Sequence, residues 1–239
     1  MMKPICIIPA RGGSKGISKK NIRIINKKPL IEFTITSCLK SKIFSHVYVS
    51  TEDPKIAAIS KKYGAEVPFL RPKNLSTDNV PIDKVLTHFV KKLSTLGIKS
   101  DVMVWRDCTV PFIRNIDIKN SIKLLQSKKA ELVIGVYEQH LNPYYNIVEM
   151  NNSGHLKLVK KQKSRPNSRQ SAPKVFQMNG LHVYDVNKAL NNNGKILNSL
   201  NKAIPFFIPP YTGLMIDTEF EFQLAELMMK NLTNKKIFQ

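Results

Sequence analysis

Ile5-Cys6-Ile7-Ile8-Pro9-Ala10-Arg11-Gly12-Gly13-Ser14-Lys15-Gly16 sets the organisation of this chain. Residues 5–8 are a short apolar run bracketed by Pro4 and Pro9, which reads as a buried strand. The loop over 11–18 follows at once. Its three glycines let the backbone turn tightly and bring N–H groups close to an anion, and Arg11 and Lys15 add charge to the same turn. Lys20 and Asn21 lie just beyond. A loop outside the C-terminal end of a strand is where open α/β sheets bind ligands. The spacing is neither G-x-x-x-x-G-K-[ST] nor G-x-G-x-x-G, so neither a P-loop nor a dinucleotide fingerprint is present. The competing reading is a solvated basic turn, which rarely combines three glycines with two cations.

Outward from this loop, apolar runs alternate with amphipathic stretches, the pattern of a mostly parallel sheet flanked by helices. Strands are expected at 47–50, 67–70, 102–105 and 132–136, the third of them central. Helices are expected at 30–39, from Asp53-Pro54 to about 63–64, at 82–96 and at 116–125, with a polar loop over 74–81. The texture changes after Val136. Residues 144–150 and 156–159 read as a hairpin closed by Asn151-Asn152-Ser153-Gly154. Residues 160–173 are basic, without apolar periodicity, and are expected as a loop. A strand at 180–184, another at 204–208 and a helix at 219–229 complete the chain. The expectation is one α/β domain over 1–239 with an inserted arm at about 138–175.

Hydrophobic residues make up 42% of the 239, enough for a core, which excludes a wholly disordered chain. No apolar run reaches the ~18 residues of a membrane helix, and the N-terminal stretch is too short for a signal peptide. Cys6, Cys38 and Cys108 are odd in number and far apart, with neither disulfide nor metal spacing. The expected compartment is the cytoplasm, with no membrane partner. The net charge of +21 points to polyanionic partners: nucleic acid, or phosphorylated and carboxylated substrates. Part of it is local, because residues 151–174 contain no acid but carry seven Lys and Arg, Arg165 and Arg169 among them.

The segment over 8–16, followed by Lys20-Asn21, closely resembles the N-terminal signature of the acylneuraminate cytidylyltransferases, the CMP-sialic acid synthetases. Leu70-Arg71-Pro72 with Leu75-Ser76-Thr77-Asp78 resembles the family's second motif. Arg169-Gln170-Ser171-Ala172-Pro173 with Asn179-Gly180 resembles the third, and Ile216-Asp217-Thr218-Glu219-Phe220 the fourth. Four motifs in order make a specific match. The resemblance implies a nucleotide-binding sheet of the glycosyltransferase-A type. It also implies a homodimer in which an arm of one subunit helps close the partner's site. The implied reaction is attack by a sugar's anomeric hydroxyl on the α-phosphate of CTP, with pyrophosphate leaving.

On that resemblance, residues 10–16, Lys20, Asn21, Arg71 and Asp78 would bind nucleotide, with Arg11 and Lys15 neutralising the triphosphate. Asp217 would hold a divalent cation, Mg2+, and Asp107, Arg169, Gln170 and Asn179 would meet the acidic nine-carbon sugar. Plainer roles compete: a surface turn for Arg71, helix caps for Asp78 and Asp217, a solvated face for Lys160, Lys161 and Lys163. Two departures stand out. The family has Asp-x-Asp before Thr-Glu, and here Met215 occupies the first place. Many members read Gln-Pro-Thr-Ser-Pro after the central strand, where this chain has Asp107-Cys108-Thr109-Val110-Pro111. A charge at Asp107 would repel an acidic sugar, so the substrate need not be plain N-acetylneuraminate, and legionaminic or pseudaminic acid-like sugars enter. Transfer of another nucleotide or to another sugar, or a degenerate relative that binds nucleic acid, are the alternatives.

Overall fold

The structure, a computed structural model, describes residues 3–164, 166–190 and 200–231. In chain order its strands are β1 (Ile5–Pro9), β2 (Ile24–Ile25), β3 (Lys28–Pro29), β4 (His46–Ser50), β5 (Val102–Arg106), β6 (Leu132–Glu138), β7 (Val148–Met150), β8 (Leu156–Leu158), β9 (Phe176–Asp185) and β10 (Ala203–Phe207). The helices are α1 (Leu30–Ser41), α2 (Pro54–Lys62), α3 (Ile82–Thr95), α4 (Asn115–Ser127), α5 (Val186–Ala189) and α6 (Glu219–Asn231). No helix among the described residues is long and apolar enough to cross a membrane.

Six strands form one sheet in the order β10-β6-β9-β5-β1-β4. β1 runs parallel to β4 and β5, and β10 parallel to β6, while β9 is antiparallel to both its neighbours. The strands read as near-continuous apolar runs because both faces are covered. Cys6, Ile8, Val47, Val49 and Val104 pack into one core with Ile31 and Ile35 of α1. Ile5, Ile7, Tyr48, Met103 and Trp105 pack into another with Leu86 and Phe89 of α3. A third cluster joins Ile17 and Leu30 to Ile216, Phe222 and Ala225, seating α6 beneath the Gly-rich loop. From β1 the chain crosses first to β4 on one side and later to β5 on the other. The loop leaving β1 therefore stands at the switch point of the sheet.

Most expected elements form. The strand at 67–70 does not: only Glu66 bridges to Tyr48, and the chain then leaves the sheet. Val67 and Phe69 are apolar because they pack, against the first and second cores respectively, and Pro68 has no N–H to pair. The hairpin is shorter than expected, because Tyr144–Asn146 is turn and only 148–150 pair with 156–158. β9 begins earlier than expected, its register shifting between Ile134 and Val136 of β6. Within 160–173 the described residues hold one 3-10 turn, Arg169–Ser171; Arg165 lies outside the described residues.

Candidate functional site

A cleft of about 480 Å³ opens at the C-terminal ends of β1 and β5. Arg11, Ser14, Lys15 and Gly16 of the Gly-rich loop line one wall, Lys20 and Asn21 its end, and Arg71 and Ser76–Asp78 the facing wall. Trp105, Asp107 and Asp217 also line it. Segments from four distant parts of the sequence thus meet in one space. The loop itself is fastened from below. Asn21, buried, donates to the Arg11 carbonyl at 2.9 Å, and the Cys108 thiol donates to Asn21 Oδ1 at 3.0 Å.

Two ion-pair groups cross the cleft. Asp78 accepts from both Arg11 and Lys15, the latter at 2.6 Å, and these charges hold its carboxyl below the usual carboxylate range, Lys15 first. Lys20 Nζ meets Asp217 Oδ1 at 2.7 Å. Gly16 is required by close approach, since a Cβ there would meet the backbone oxygen of Asp217. The Ile216 N–H donates to the Thr109 carbonyl at 2.9 Å, so the loops carrying Asp107 and Asp217 are stitched together.

Asp107 accepts from the Trp105 indole N–H at 2.7 Å. Burial pushes its carboxyl upward and the neighbouring charge of Asp217 adds to that, against His182, the indole and Arg106. Gly180 leaves room for it, because a Cβ there would sit 2.5 Å from Asp107 Cβ.

The plainer roles for three residues are resolved by geometry. Arg71 is no surface turn: it is 6% exposed, its Nη2 donating to Glu52 at 3.1 Å and its Nε to Ser76 Oγ at 3.0 Å. Asp78 does not cap α3, whose N-cap is Pro81. Asp217 does not cap α6. Thr218 and Glu221 do, as a capping box in which the Glu221 carboxylate accepts from Thr218 N–H at 2.7 Å and from Asp217 N–H at 2.8 Å. Asp217 is left with its carboxylate in the cleft. Lys160, Lys161 and Lys163 are exposed.

Not every expected site residue gathers here. Ala10, Gly12 and Gly13 are off the cleft wall, and the Gly12 N–H is spent on Glu52 at 2.7 Å. Arg169 and Gln170 are exposed and line a second cavity of about 730 Å³ with Tyr137, Glu138, Asn142 and Lys174. Asn179 lines neither cavity; it is buried, its Oδ1 accepts from the Leu181 N–H at 3.1 Å, its Nδ2 has no partner, and it packs against Gly135 of β6. Met215 packs against the first core. Sequence reading missed Glu52 and Trp105. Glu52 sits one residue past the end of β4's continuation through Thr51, a position at the C-terminal edge of the sheet that could have flagged it.

Among the described residues no three His, Cys, Asp or Glu side chains gather as a metal site. Asp107 and Asp217 line the same cleft, however, and two carboxylates completed by phosphate oxygens and water are a hard-oxygen donor set that suits a magnesium-like ion.

Residues 5–211 match the family described as Cytidylyltransferase. The CMP-N,N'-diacetyllegionaminic acid synthase of Campylobacter jejuni is 33% identical, over 98% of this chain and 99% of that protein. The pseudaminic acid cytidylyltransferase of the same species is 31% identical over 96% and 97%. A CMP:2-keto-3-deoxy-manno-octonic acid synthetase solved with CTP shares the fold at a TM-score of 0.67 and 15% identity, covering 96% of this chain and 99% of that one.

Proposed function

The chain belongs to the cytidylyltransferase family, and from that premise we propose that it transfers CMP from CTP to the anomeric hydroxyl of a nonulosonic acid, releasing pyrophosphate. The observation that carries the reading is the meeting of Arg11, Lys15 and Asp217 in one cleft at the sheet's switch point. The sugar is of the sialic, legionaminic or pseudaminic acid class, in keeping with the relatives of similar length.

Phosphoryl-type transfer is positioning plus charge stabilisation. Arg11 and Lys15 would exchange Asp78 for the triphosphate and neutralise the leaving pyrophosphate. Arg71 and the Ser76–Asp78 segment would border the cytidine. Asp217, with Asp107 beside it, would hold a divalent cation, Mg2+ by the chemistry of its donors. When bound, that cation supplies charge neutralisation at phosphate oxygens and lowers the pKa of the attacking hydroxyl. With the cation bound, the charge of Asp107 would be offset, which weakens the repulsion that an acidic sugar would otherwise meet.

The arm supplies the rest. We assign residues 138–175 to closing a partner's site in a homodimer. Support comes from the apolar surface beside it. Phe207, 60% exposed on edge strand β10, packs its ring 5.2 Å from that of Phe176, and Met150 and Leu156 of the hairpin are each 71% exposed. In that arrangement Arg169 and Gln170 meet the sugar across the interface. The site of action is the cytoplasm, where CTP and reduced thiols such as the buried Cys6, Cys38 and Cys108 coexist.

The test is pyrophosphate release from CTP and Mg2+ with N-acetylneuraminic, legionaminic and pseudaminic acids and the eight-carbon Kdo. Release with a nine-carbon sugar and CTP, but not with UTP, ATP or GTP, is expected. Release with no nine-carbon sugar from a protein that binds CTP would reject the sugar class.

A further inference from the structure

We propose that Glu52 is a positioning residue for nucleotide binding: its carboxylate ties the Gly-rich loop to Arg71, so that the two walls of the cleft are set by one side chain. The proposal rests on the CTP reading above. Glu52 does not itself line the cleft. Its Oε1 accepts the Gly12 N–H at 2.7 Å, and its Oε2 accepts Arg71 Nη2 at 3.1 Å. Its side chain is 15% exposed and that of Arg71 5%, so solvent barely screens the pair. Arg71 extends the link, donating from Nε to Ser76 Oγ at 3.0 Å, while its own N–H donates to the Thr51 carbonyl at 2.8 Å. One carboxylate therefore fixes both the turn that carries Arg11 and the strip that carries Ser76 and Asp78.

A second observation is independent of the ion pair. Gly12 lies against Asp53, the N-cap of α2, whose Oδ1 accepts the Lys55 N–H at 2.7 Å. A Cβ on Gly12 would sit 2.7 Å from Asp53 Oδ2 and 3.1 Å from Asp53 Cβ. The loop can reach Glu52 only because residue 12 has no side chain. Gly12 thus serves the tether, its one N–H being spent on Glu52.

The experiment measures CTP binding through the fluorescence of Trp105, the chain's one tryptophan, which lines the cleft, alongside steady-state kinetics. Glu52→Gln keeps an acceptor for Gly12 and loses the charge facing Arg71. It is expected to stay folded and to melt about 3–12 °C below wild type. Its Kd and KM for CTP should rise about tenfold or more, the scale of one charge-assisted hydrogen bond, with kcat within about threefold. Placed on Arg71→Met, the same change should cost less than about threefold more, because its effect runs through Arg71. Gly12→Ala leaves the Glu52–Arg71 pair intact and should also raise KM for CTP, which keeps the test open if Glu52→Gln does not fold. Unchanged Kd and KM in Glu52→Gln or in Gly12→Ala would overturn the proposal. So would a loss of active protein at unaltered KM with a large drop in melting temperature, the mark of a merely structural residue. A wild-type protein that binds no CTP would instead overturn the nucleotide reading, and this proposal with it.

Discussion

The cleft beneath the Gly-rich loop and the arm over 138–175 solve opposite problems. In the cleft the cations are already paired: Arg11 and Lys15 with Asp78, Lys20 with Asp217, Arg71 with Glu52. In the arm, Arg169 and Gln170 stand exposed, β7 and β8 pair with each other and with no strand of the main sheet, and large apolar side chains face solvent. One region is organised within a single chain. The other exposes the surface that the proposed homodimer would cover. The lesson is that charge alone does not mark a site in a chain of net charge +21. What distinguishes the cleft is that Arg11, Lys15, Lys20 and Arg71, from distant parts of the sequence, gather on three carboxylates around one space, whereas Lys157–Glu149 and Lys174–Glu138 of the arm are single pairs.

The contrast breaks most sharply at Asp217. Asp217→Asn removes the carboxylate while leaving the Thr218–Glu221 cap in place, so the protein should stay folded. We expect kcat/KM to fall by about a thousandfold or more, the scale of losing a group that acts on transition-state charge, and a wild-type rate would refute the assignment. Arg11→Ala should fall almost as far, with circular dichroism unchanged. The arm sharpens the comparison through complementation. Arg11→Ala and Arg169→Ala are each expected to be poorly active alone. Mixed and reassociated, they should recover about a quarter of wild-type activity, since half of random dimers are mixed and each holds one intact site. Activity that stays at the level of the separate variants would mean that each chain closes its own site. Asp78→Asn is the smaller change. If Asp78 occupies the place of the phosphates on Arg11 and Lys15, the variant should bind pyrophosphate about three- to tenfold more tightly at low salt, and weaker binding would refute that role.

Much of this was legible in the sequence because it is local. β1, the loop behind it, α1, the Asp53–Pro54 start of α2 and α6 all announce themselves through neighbouring residues. What escaped is non-local or ambiguous in one dimension. Residues 67–70 are as apolar as a strand, but Val67 and Phe69 are there to pack and not to pair, and Leu70 is exposed. The sequence over 215–221 holds two candidate caps for α6, and only the placement of Glu221 beneath Thr218 decides between Thr218 and Asp217. The pairing of Gly12 with Glu52 spans 40 positions and that of Lys20 with Asp217 spans 197, distances at which no periodicity speaks. Glycine requirements were legible as residues and not as reasons: Gly16 and Gly180 are small because Asp217 and Asp107 lie against them.

The finest probe of the contrast is pH, applied to the tether under the cleft. Burial pushes the Glu52 carboxyl up, but the hydrogen bonds from Gly12 N–H and Arg71, with the charge of Arg71, outweigh it and hold the group below its ordinary value of 4.5. A carboxyl with a depressed folded pKa binds fewer protons folded than unfolded in that window. Its stabilisation is therefore complete above about 4.5 and is lost as pH falls through the folded value. Wild type should exceed Glu52→Gln in stability by about 1.5–3 kcal/mol at pH 7, the range for hydrogen bonds to a charged group. That gap should hold down to about pH 5 and close below it, read as the difference in urea midpoint at each pH. The arm gives the control. Lys174 and Glu138 form a pair that is mostly exposed, at 72% and 58%, so Glu138→Gln should leave stability unchanged within about 0.5 kcal/mol at every pH. A pH-independent gap for Glu52→Gln would mean that its carboxylate is not held by Arg71 in the folded protein, and that the two regions differ less than their geometry says.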